Sequence, residues 1–333
     1  MKVLLTGGAG YVGSACLRHL LRHGVDAHAY DDLSRGHRGA VPADRLVVGD
    51  ILDTARLTQV LRDGGFDAVM HFAALAYVGE SVAEPERYWR INVSGSVSLL
   101  DAMLAAGVRR ILFSSTCSTY GDSPTVPMSE ASPQTPCNPY ARTKLAIEWA
   151  IRDYAEAHGF GFTLLRYFNA SGADEDGMHG EDHEPESHLI PLVLQVVSGR
   201  RDSIGVFGTD YPTPDGTCIR DYIHVDDLAQ AHRLAIEATG PGSRHVFNVG
   251  TGTGNSVLEV IEMCEAVTGR AVARRVEPRR PGDPPALVAD ASKLVRELGW
   301  KPRFADLRSI VETAWRWHQR HPLGYRDGAV SSD

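Results

Sequence analysis

Short apolar runs alternate with longer amphipathic segments along the first half of the chain. The run KVLLT at 2–6 ends at a glycine, and YVGSACLRHLLRHG at 11–24 follows it with apolar residues three and four positions apart. Such alternation predicts a parallel sheet with helices on both faces. The same pattern predicts further strands at 26–30, 45–50, 67–74, 109–115 and 161–169, and helices at 54–65, 86–106 and 143–152.

The pattern changes after Asn169. The next segment, ASGADEDGMHGEDHEPES, is acidic and rich in glycine and proline, which predicts a loop. Either Asp226 or Asp227 is predicted to cap a helix in the segment beyond it. The elements predicted there are helices at 188–199, 256–268 and 305–320, strands at 203–208 and 245–250, and a strand followed by a helix at 222–238.

We therefore predict an α/β protein built on a Rossmann-type, doubly wound parallel sheet, with a smaller, interleaved α/β lobe that binds substrate. The sheet domain is assigned to 1–169, with 220–250 returning to it. The smaller lobe is assigned to 170–219 and 251–333.

Composition narrows the functional class. The 333 residues carry a formal net charge of −8, which argues against a broad basic surface for nucleic acid. No apolar run reaches the length of a membrane span, and the apolar part of MKVLLTGGAG is too short for a signal peptide. We therefore expect a cytoplasmic protein with no membrane partner. The five cysteines form no C-x-x-C pair, which predicts neither disulfides nor a metal site.

A glycine-rich turn, TGGAGYVG at 6–13, joins the first predicted strand to the first helix. Glycine clusters are often ordinary turns, but this place in a βαβ unit is that of a dinucleotide-binding fingerprint. Gly7, Gly10 and Gly13 would let a pyrophosphate approach the helix N-terminus, where free N–H groups favour anions. Asp31, at the end of the second strand, can bind an adenosine ribose hydroxyl and would repel a 2′-phosphate. This favours NAD over NADP.

The stretch NPYARTKLAIE at 138–148 places Tyr140 four residues before Lys144. On a helix the two side chains would lie one turn apart on the same face. An ammonium group beside a phenol favours the phenolate and lowers the phenol pKa, so the pair could act as a general base. The alternative is an ordinary exposed helix face, because this spacing also occurs by chance.

Several strings, in this order, resemble the extended short-chain dehydrogenase/reductase family: TGGAGYVG, HFAA, FSSTCSTYG, YARTK and LLRYFNASG. Two more, GRRDSIGVFGTDYPTPDGTCIRDYIHV and PRRPGDPPALVAD, are similar to those of UDP-glucose 4-epimerases. The resemblance covers nearly the whole chain. It implies an NAD-dependent isomerase that interconverts UDP-galactose and UDP-glucose by transient oxidation at sugar C4, through a 4-keto intermediate. The sheet domain would then bind NAD and the smaller lobe the UDP-sugar.

The resemblance also implies site residues. Tyr140 and Lys144 would be the catalytic base and the group that tunes it, and Thr116, where many members have Ser, would hydrogen-bond the reacting oxygen. The implied cofactor contacts are Gly7, Gly10, Tyr11, Val12, Gly13, Asp31, Asp32, Leu33, Asp50, Ile51, Phe72, Ala73, Ala74, Asn92, Tyr140, Lys144, Tyr167 and Phe168. The implied substrate contacts are Thr116, Asn169, His188, Leu189, Val206, Phe207, Gly208, Arg220, Arg280 and Asp283.

Because the sugar must turn within the site, most of the binding energy of the substrate has to come from contacts outside the sugar. The UDP part is expected to make those contacts. Arg220 and Arg280 suit a diphosphate, because guanidinium groups make bidentate, permanently charged hydrogen bonds. The alternative for Arg220 is a local salt bridge with Asp221. Asp283 is expected to bind the uridine ribose.

The residues after Thr116, and Leu287, bear on which other reactions of this fold the chain could catalyse. Dehydratases of this fold need an acid and a base near 116–118, and Thr116, Cys117 and Ser118 include no carboxylate. This disfavours a sugar-nucleotide 4,6-dehydratase. UDP-pentose and UDP-N-acetylhexosamine 4-epimerases stay open, because Leu287 stands where some members have a bulky Tyr.

Two further points concern cofactor and assembly. Ala76 stands where many members of the family have a Lys, which puts one cofactor contact in question. A non-catalytic NAD-binding scaffold would need neither Tyr140 nor Lys144, so their presence favours an enzyme. The resemblance implies a homodimer formed through helices near 86–106 and 138–158.

Overall fold

The computed structural model describes residues 1–123, 125–280 and 282–325. Its strands are β1 (Lys2–Thr6), β2 (Asp26–Asp31), β3 (Leu46–Val48), β4 (Ala68–His71), β5 (Arg110–Thr116), β6 (Gly161–Tyr167), β7 (Asn169–Ser171), β8 (Ile204–Phe207), β9 (Ile219–His224), β10 (Arg244–Val249), β11 (Gly254–Ser256), β12 (Arg274–Glu277) and β13 (Ala286–Leu287). Its α-helices are α1 (Tyr11–Arg22), α2 (Thr54–Gly64), α3 (Val78–Ala83), α4 (Pro85–Tyr88), α5 (Gly95–Ala106), α6 (Pro139–His158), α7 (Leu189–Val197), α8 (Val225–Ala238), α9 (Val257–Thr268), α10 (Ser292–Leu298) and α11 (Leu307–Arg320).

Seven parallel strands form the large sheet, in the order β10-β6-β5-β4-β1-β2-β3. The chain runs outward from β1 through β2 to β3, and then returns to the other side of β1 to add β4, β5, β6 and β10. The order therefore reverses beside β1, which is the topological switch point of a doubly wound sheet. The predicted Rossmann-type α/β fold is confirmed.

The central strand buries both of its faces. Val3 and Leu5 of β1 lie in the core on one side of the sheet and Leu4 lies in the core on the other, all fully buried. Because successive side chains of a strand point to opposite faces, an unbroken apolar run is what a covered sheet requires. Side chains of α1 and α8 fill the first core, and side chains of α2, α5 and α6 fill the second.

The smaller lobe contains two small sheets. β9 pairs with β7, β11 and β13, and β8 pairs with β12. Helices α7, α9 and α11 share a separate apolar core. The chain rejoins the large sheet at α8, which packs on α1, and at β10. β9 thus belongs to a small sheet and not, as the boundary at 220 predicted, to the large one.

Two predicted helices differ in extent from the observed ones. The predicted helix 86–106 is interrupted by a π-helical segment, Trp89–Ser94, between α4 and α5. The predicted helix 143–152 is longer, because Asn138 caps α6 by accepting the N–H of Ala141 at 2.9 Å. Within the described ranges, every helix is too short or too polar to span a bilayer. The last part of the predicted lobe, 326–333, lies outside the described residues.

The predicted cap of α8 is wrong. His224, not Asp226 or Asp227, caps this helix: its Nδ1 accepts the N–H of Asp226 at 3.1 Å. β9 runs directly into α8, so the cap position falls earlier than the acidic pair. Asp227 instead accepts the N–H groups of Arg303 and Phe304, at 2.7 and 2.8 Å, and so ties α8 to the segment after α10.

Candidate active site

A cleft of about 1790 Å³ opens at the carboxyl ends of the central strands. The loops after β1, β2, β4 and β5 form one wall, and residues near α7, β9 and β13 form the other. Open parallel sheets bind ligands at this edge, because the loops on either side of the switch point diverge there. The cleft is therefore the candidate active site.

The turn between β1 and α1 depends on glycine. Gly7 has φ +69°, and a Cβ atom there would lie 2.5 Å from the backbone nitrogen of Ala73. A Cβ on Gly13 would lie 2.2 Å from the carbonyl oxygen of Gly7. Among the described residues no side chain caps α1 at Gly10, which leaves the first N–H groups of the helix available at the cleft. These groups fit a phosphate anion.

Asp31 joins this turn to the end of β2. Its Oδ2 accepts the N–H of Ala9 at 2.9 Å, and its Oδ1 accepts the N–H of Leu33 at 2.8 Å. Burial raises the pKa of the carboxyl, and the two N–H donors oppose that rise. Each carboxylate oxygen has a further lone pair, and Asp31 lines the cleft. The residue can therefore accept a hydrogen bond from a ribose hydroxyl.

Tyr140 and Thr116 meet in the cleft. Thr116 ends β5 and Tyr140 lies in the first turn of α6. Both residues line the cleft, and the Thr116 side chain lies near enough to the Tyr140 phenol to affect its pKa. Burial raises the pKa of the Tyr140 phenol above its usual value, and the Thr116 side chain opposes this rise. The pair can exchange a proton with a ligand hydroxyl when a nearby cation stabilises the phenolate.

Lys144 lies one turn after Tyr140 and is 3% exposed. Its Nζ donates to the carbonyl oxygen of Ser114 at 2.8 Å and lies 4.8 Å from the centre of the Phe113 ring. Burial lowers the Lys144 pKa to about 7, and the carboxylate of Glu148 opposes the change. Burial has the largest effect on the Tyr140 pKa and raises it, so the lowering by Lys144 stays a prediction.

A buried ion pair supports the end of β5. Arg166 of β6 and Glu148 of α6 are joined by Nε–Oε1 and Nη2–Oε2 hydrogen bonds of 2.9 and 2.6 Å. Ser115 Oγ donates to the same carboxylate at 2.6 Å. Ser115 stands between Ser114 and Thr116, so the ion pair fixes the backbone that carries both. Sequence reasoning missed this pair, although an arginine within the apolar run TLLRYF was a signal.

The far end of the cleft is basic and aromatic. The Arg280 guanidinium lies 3.8 Å from the centre of the Phe207 ring, and both residues line the cleft. Arg220 Nη2 donates to Asp283 Oδ1 at 3.1 Å. The alternative that Arg220 pairs with Asp221 is wrong, because the Asp221 carboxylate is buried and accepts three backbone N–H groups.

The sequence profile of the NAD dependent epimerase/dehydratase family matches residues 3–250. The chain belongs to this family. It is similar to a UDP-glucose 4-epimerase of Corynebacterium glutamicum, with 53% identity over 316 residues, which is 95% of each chain. Family members with solved structures include a UDP-glucose 4-epimerase of Brucella ovis in complex with NAD. That structure is 48% identical, with a TM-score of 0.90 over 94% of this chain and 97% of that one.

A second solved member of the family is a UDP-glucose 4-epimerase of Bifidobacterium longum in complex with NAD+ and UDP. Its identity to this chain is 37%, and the TM-score is 0.94 over 98% of this chain and 100% of that one. The agreement in fold is thus as close for the more distant relative as for the nearer one.

Most of the predicted site residues line the cleft. Those of the cofactor prediction are Gly7, Gly10, Tyr11, Val12, Gly13, Asp31, Asp32, Asp50, Ile51, Phe72, Ala73, Ala74, Tyr140, Tyr167 and Phe168. Those of the substrate prediction are Thr116, Asn169, His188, Leu189, Phe207, Arg220, Arg280 and Asp283. The two sets share one continuous cavity, so a dinucleotide and a second nucleotide can lie end to end.

Five predicted residues lie outside the cleft lining: Leu33, Asn92, Lys144, Val206 and Gly208. Asn92 is fully buried, and its side-chain amide bonds the backbone of Leu75 and the hydroxyl of Thr143. Asn92 therefore supports the loop after β4 through these hydrogen bonds, without reaching the cleft. Val206 is part of the apolar core of the smaller lobe.

Several cleft residues were not predicted. The basic ones are Arg35, Arg87, Arg90, Arg201 and Arg275. Arg35 donates to Glu80 at 2.9 Å and lies 5.2 Å from the centre of the Tyr77 ring. Isolated arginines are common on protein surfaces, so no local sequence pattern identifies these five as cleft residues. His183 and Glu186 also line the cleft, and the spacing H-x-x-E-x-H with His188 was the available signal.

Proposed function

We propose that this protein is an NAD-dependent UDP-glucose 4-epimerase. It interconverts UDP-galactose and UDP-glucose by transient oxidation at sugar C4, through a 4-keto intermediate. The observation that carries the proposal is that Tyr140 and Thr116 lie together in the cleft, where the Thr116 side chain lowers the phenol pKa that burial raises. The pair lies in the same cavity as a glycine-rich helix start and the basic, aromatic pocket of Arg220, Arg280 and Phe207.

The glycine turn and Asp31 fit NAD. The N–H groups at the start of α1 would hold the pyrophosphate, and Asp31 would accept a hydroxyl of the adenosine ribose. A carboxylate at this position also disfavours a 2′-phosphate. A bound NAD supplies a reversible hydride acceptor.

Tyr140 and Thr116 handle the proton of the reaction. The proton of the sugar 4-hydroxyl passes to the Tyr140 phenolate oxygen, and the same oxygen returns it after the sugar has turned over. The Thr116 hydroxyl holds the 4-oxygen in place. Because burial opposes ionisation of the phenol, the site needs positive charge nearby, and Lys144 is the side chain one turn away that can supply it.

The nucleotide end provides affinity without holding the sugar. A guanidinium from Arg220 or Arg280 suits the diphosphate, and the Phe207 ring offers a flat apolar surface. Binding energy gained at UDP leaves the hexose free to present either face.

The residues after Thr116 argue against a dehydratase. Elimination of water needs an acid and a base beyond the Tyr140 pair. Burial raises the pKa of the Cys117 thiol to about 12, so it stays protonated at neutral pH. UDP-pentoses and UDP-N-acetylhexosamines are alternative substrates of the same chemistry, and Leu287, which lines the cleft, is the side chain that would limit them.

We further propose that the enzyme works as a cytoplasmic homodimer in galactose metabolism. Among the described residues, four large apolar side chains are exposed on the predicted interface helices or beside them: Val78 and Val82 on α3, Trp89 in the π-helical segment and Trp149 on α6, with Trp149 59% exposed. Exposed aromatic side chains on neighbouring helices are typical of a protein interface.

The experiment that tests the activity is NMR of UDP-galactose incubated with purified protein and no added NAD. We expect conversion to UDP-glucose, and loss of conversion in Tyr140→Phe, which removes only the hydroxyl. No conversion by the wild type, even with NAD supplied, would overturn the proposal.

A further inference from the structure

Four ionisable side chains converge in the loop between β7 and α7. They are Glu181, His183, Glu186 and His188, and one possible ligand atom from each lies within 4.8 Å of the other three. We propose that this cluster, here called the His–Glu cluster, is a binding site for a divalent metal ion, with Zn²⁺ as the ion that suits it best. The inference goes beyond the proposed epimerase activity and does not rest on it.

The donor set selects the metal. Two imidazole nitrogens and two carboxylate oxygens are among the ligands of four-coordinate zinc, whereas calcium and magnesium favour oxygen ligands alone. The two carboxylates bring two negative charges, which one divalent cation neutralises. Ligands about 2.0–2.2 Å from a zinc ion lie roughly 3.4 Å from one another. Small side-chain rotations would therefore close the cluster around an ion.

The fold already brings the possible ligand atoms of the His–Glu cluster close together. The Glu181 side chain is 4% exposed. Its Oε1 is hydrogen-bonded to His188 Nδ1 and lies 3.2 Å from His183 Nδ1. His183 Nδ1 is buried and, within the described part of the chain, has no hydrogen bond of good geometry. Glu186 Oε1 is held by the N–H groups of Ser187 and His188, at 2.7 and 2.8 Å.

A metal ion bound here would stabilise the long loop 172–188, which lies beside the cofactor end of the cleft. Residues 172–188 contain no helix or strand, so few backbone bonds hold this segment. The His183 ring lies 6.2 Å from the ring of Tyr11, in the glycine-rich turn, and 6.0 Å from the ring of Tyr77. A metal that joins four side chains would stabilise the folded loop against these two rings. We therefore expect Zn²⁺ to raise the melting temperature.

Metal content and titration test the site directly. Tag-free protein is stripped with a chelator, dialysed, and titrated with Zn²⁺ by calorimetry. We expect one Zn²⁺ per chain, and a loss of affinity of more than about 100-fold in His183→Asn and in Glu181→Gln, since even changes behind the ligands cost about 10–100-fold. The matched control is His23→Asn. It removes the stacked His19–His23 pair, whose ring centres are 4.2 Å apart, and should leave the affinity unchanged.

A second measurement avoids dependence on variant folding. Co²⁺ added to stripped wild-type protein should give the visible absorption bands of tetrahedral cobalt, and Zn²⁺ should displace them. The proposal is overturned if the wild type takes up no stoichiometric Zn²⁺ or Co²⁺, if His183→Asn and Glu181→Gln bind like the wild type, or if His23→Asn abolishes binding.

Discussion

Arg166 and Glu148 form a buried, doubly hydrogen-bonded ion pair under the strand that carries Thr116. The Glu148 carboxylate also accepts a hydrogen bond from the Ser115 hydroxyl, next to Thr116 on β5, and it raises the pKa of Lys144 on α6. The ion pair therefore influences both the strand and the helix that carry the proposed catalytic residues. Its removal should therefore affect stability and activity together.

The first prediction concerns that pair. Glu148→Gln leaves the Arg166 guanidinium buried without its counter-charge, so the free energy of unfolding should fall by about 3–5 kcal/mol. Urea unfolding of the two proteins measures the difference. The double variant Glu148→Leu with Arg166→Met removes both charges and should recover much of the loss. A double variant less stable than Glu148→Gln would contradict this account.

The second prediction concerns Thr116. Thr116→Val keeps the shape of the side chain and removes the hydroxyl proposed to hold the 4-oxygen of the sugar, so kcat should fall by about 100-fold. Thr116→Ser retains the hydroxyl and should keep most of the activity. Steady-state rates with UDP-galactose measure both. Equal rates for the Val and Ser variants would exclude a role for the hydroxyl.

The third prediction concerns Asp226, in the first turn of α8. Burial raises the pKa of its carboxyl to about 6, with a further rise from Asp174. The folded state therefore binds more protons than the unfolded state between the unfolded pKa near 4 and pH 6, and stability from this group is lost as the pH rises through that window.

It follows that Asp226→Asn should raise the free energy of unfolding at pH 7.5, by at most about 3 kcal/mol, and by much less at pH 4.5. Denaturant titrations at the two pH values, on both proteins, cancel the contributions of other groups. A gain that is the same at both pH values would show that the carboxyl pKa is not raised.

The fourth prediction concerns the nucleotide pocket. Arg280→Leu should weaken UDP binding by about 10–100-fold, because charged hydrogen bonds contribute about 1.5–3 kcal/mol. It should raise KM more than it lowers kcat. The neighbouring Arg279 pairs with Asp210 at 2.6 Å, outside the cleft lining. Arg279→Leu is therefore the control and should bind UDP like the wild type.

The fifth prediction concerns assembly. Trp149→Glu places a charge on the exposed face of α6 and should convert the dimer to monomers, as measured by light scattering on a sizing column. Val276→Glu alters an apolar residue on β12 that is 70% exposed, and it should leave the dimer intact. A monomeric wild type would contradict the proposed homodimer, and a dimeric Trp149→Glu would place the interface elsewhere.

Local patterns in the sequence were sufficient for the large sheet, for the glycine-rich turn at its edge and for the position of Tyr140 in the cleft. The glycine turn and the Tyr140–Lys144 spacing each lie within one short segment, where spacing and geometry are tied together. Other features arise only from tertiary contact. β11 and β13 have three and two residues, too few for a periodic pattern, and they form because β9 lies beside them.

The buried charges show the same limit. Glu148 and Arg166 are 18 residues apart on different elements, and only the packing of α6 on the sheet brings them together. Lys144 illustrates a related point: helical spacing puts it one turn from Tyr140, and only the fold shows that its Nζ donates to the Ser114 carbonyl oxygen. Spacing in the sequence predicts which residues share a helix face, but it does not predict which group a side chain contacts in the folded protein.

The most direct test of the proposed chemistry uses UDP-galactose labelled with deuterium at C4, incubated with the purified enzyme in ordinary water without added NAD. Oxidation and re-reduction within one site predict UDP-glucose that retains the deuterium at C4. Product with hydrogen from water at C4, or no product from the wild-type enzyme even with NAD supplied, would contradict the account.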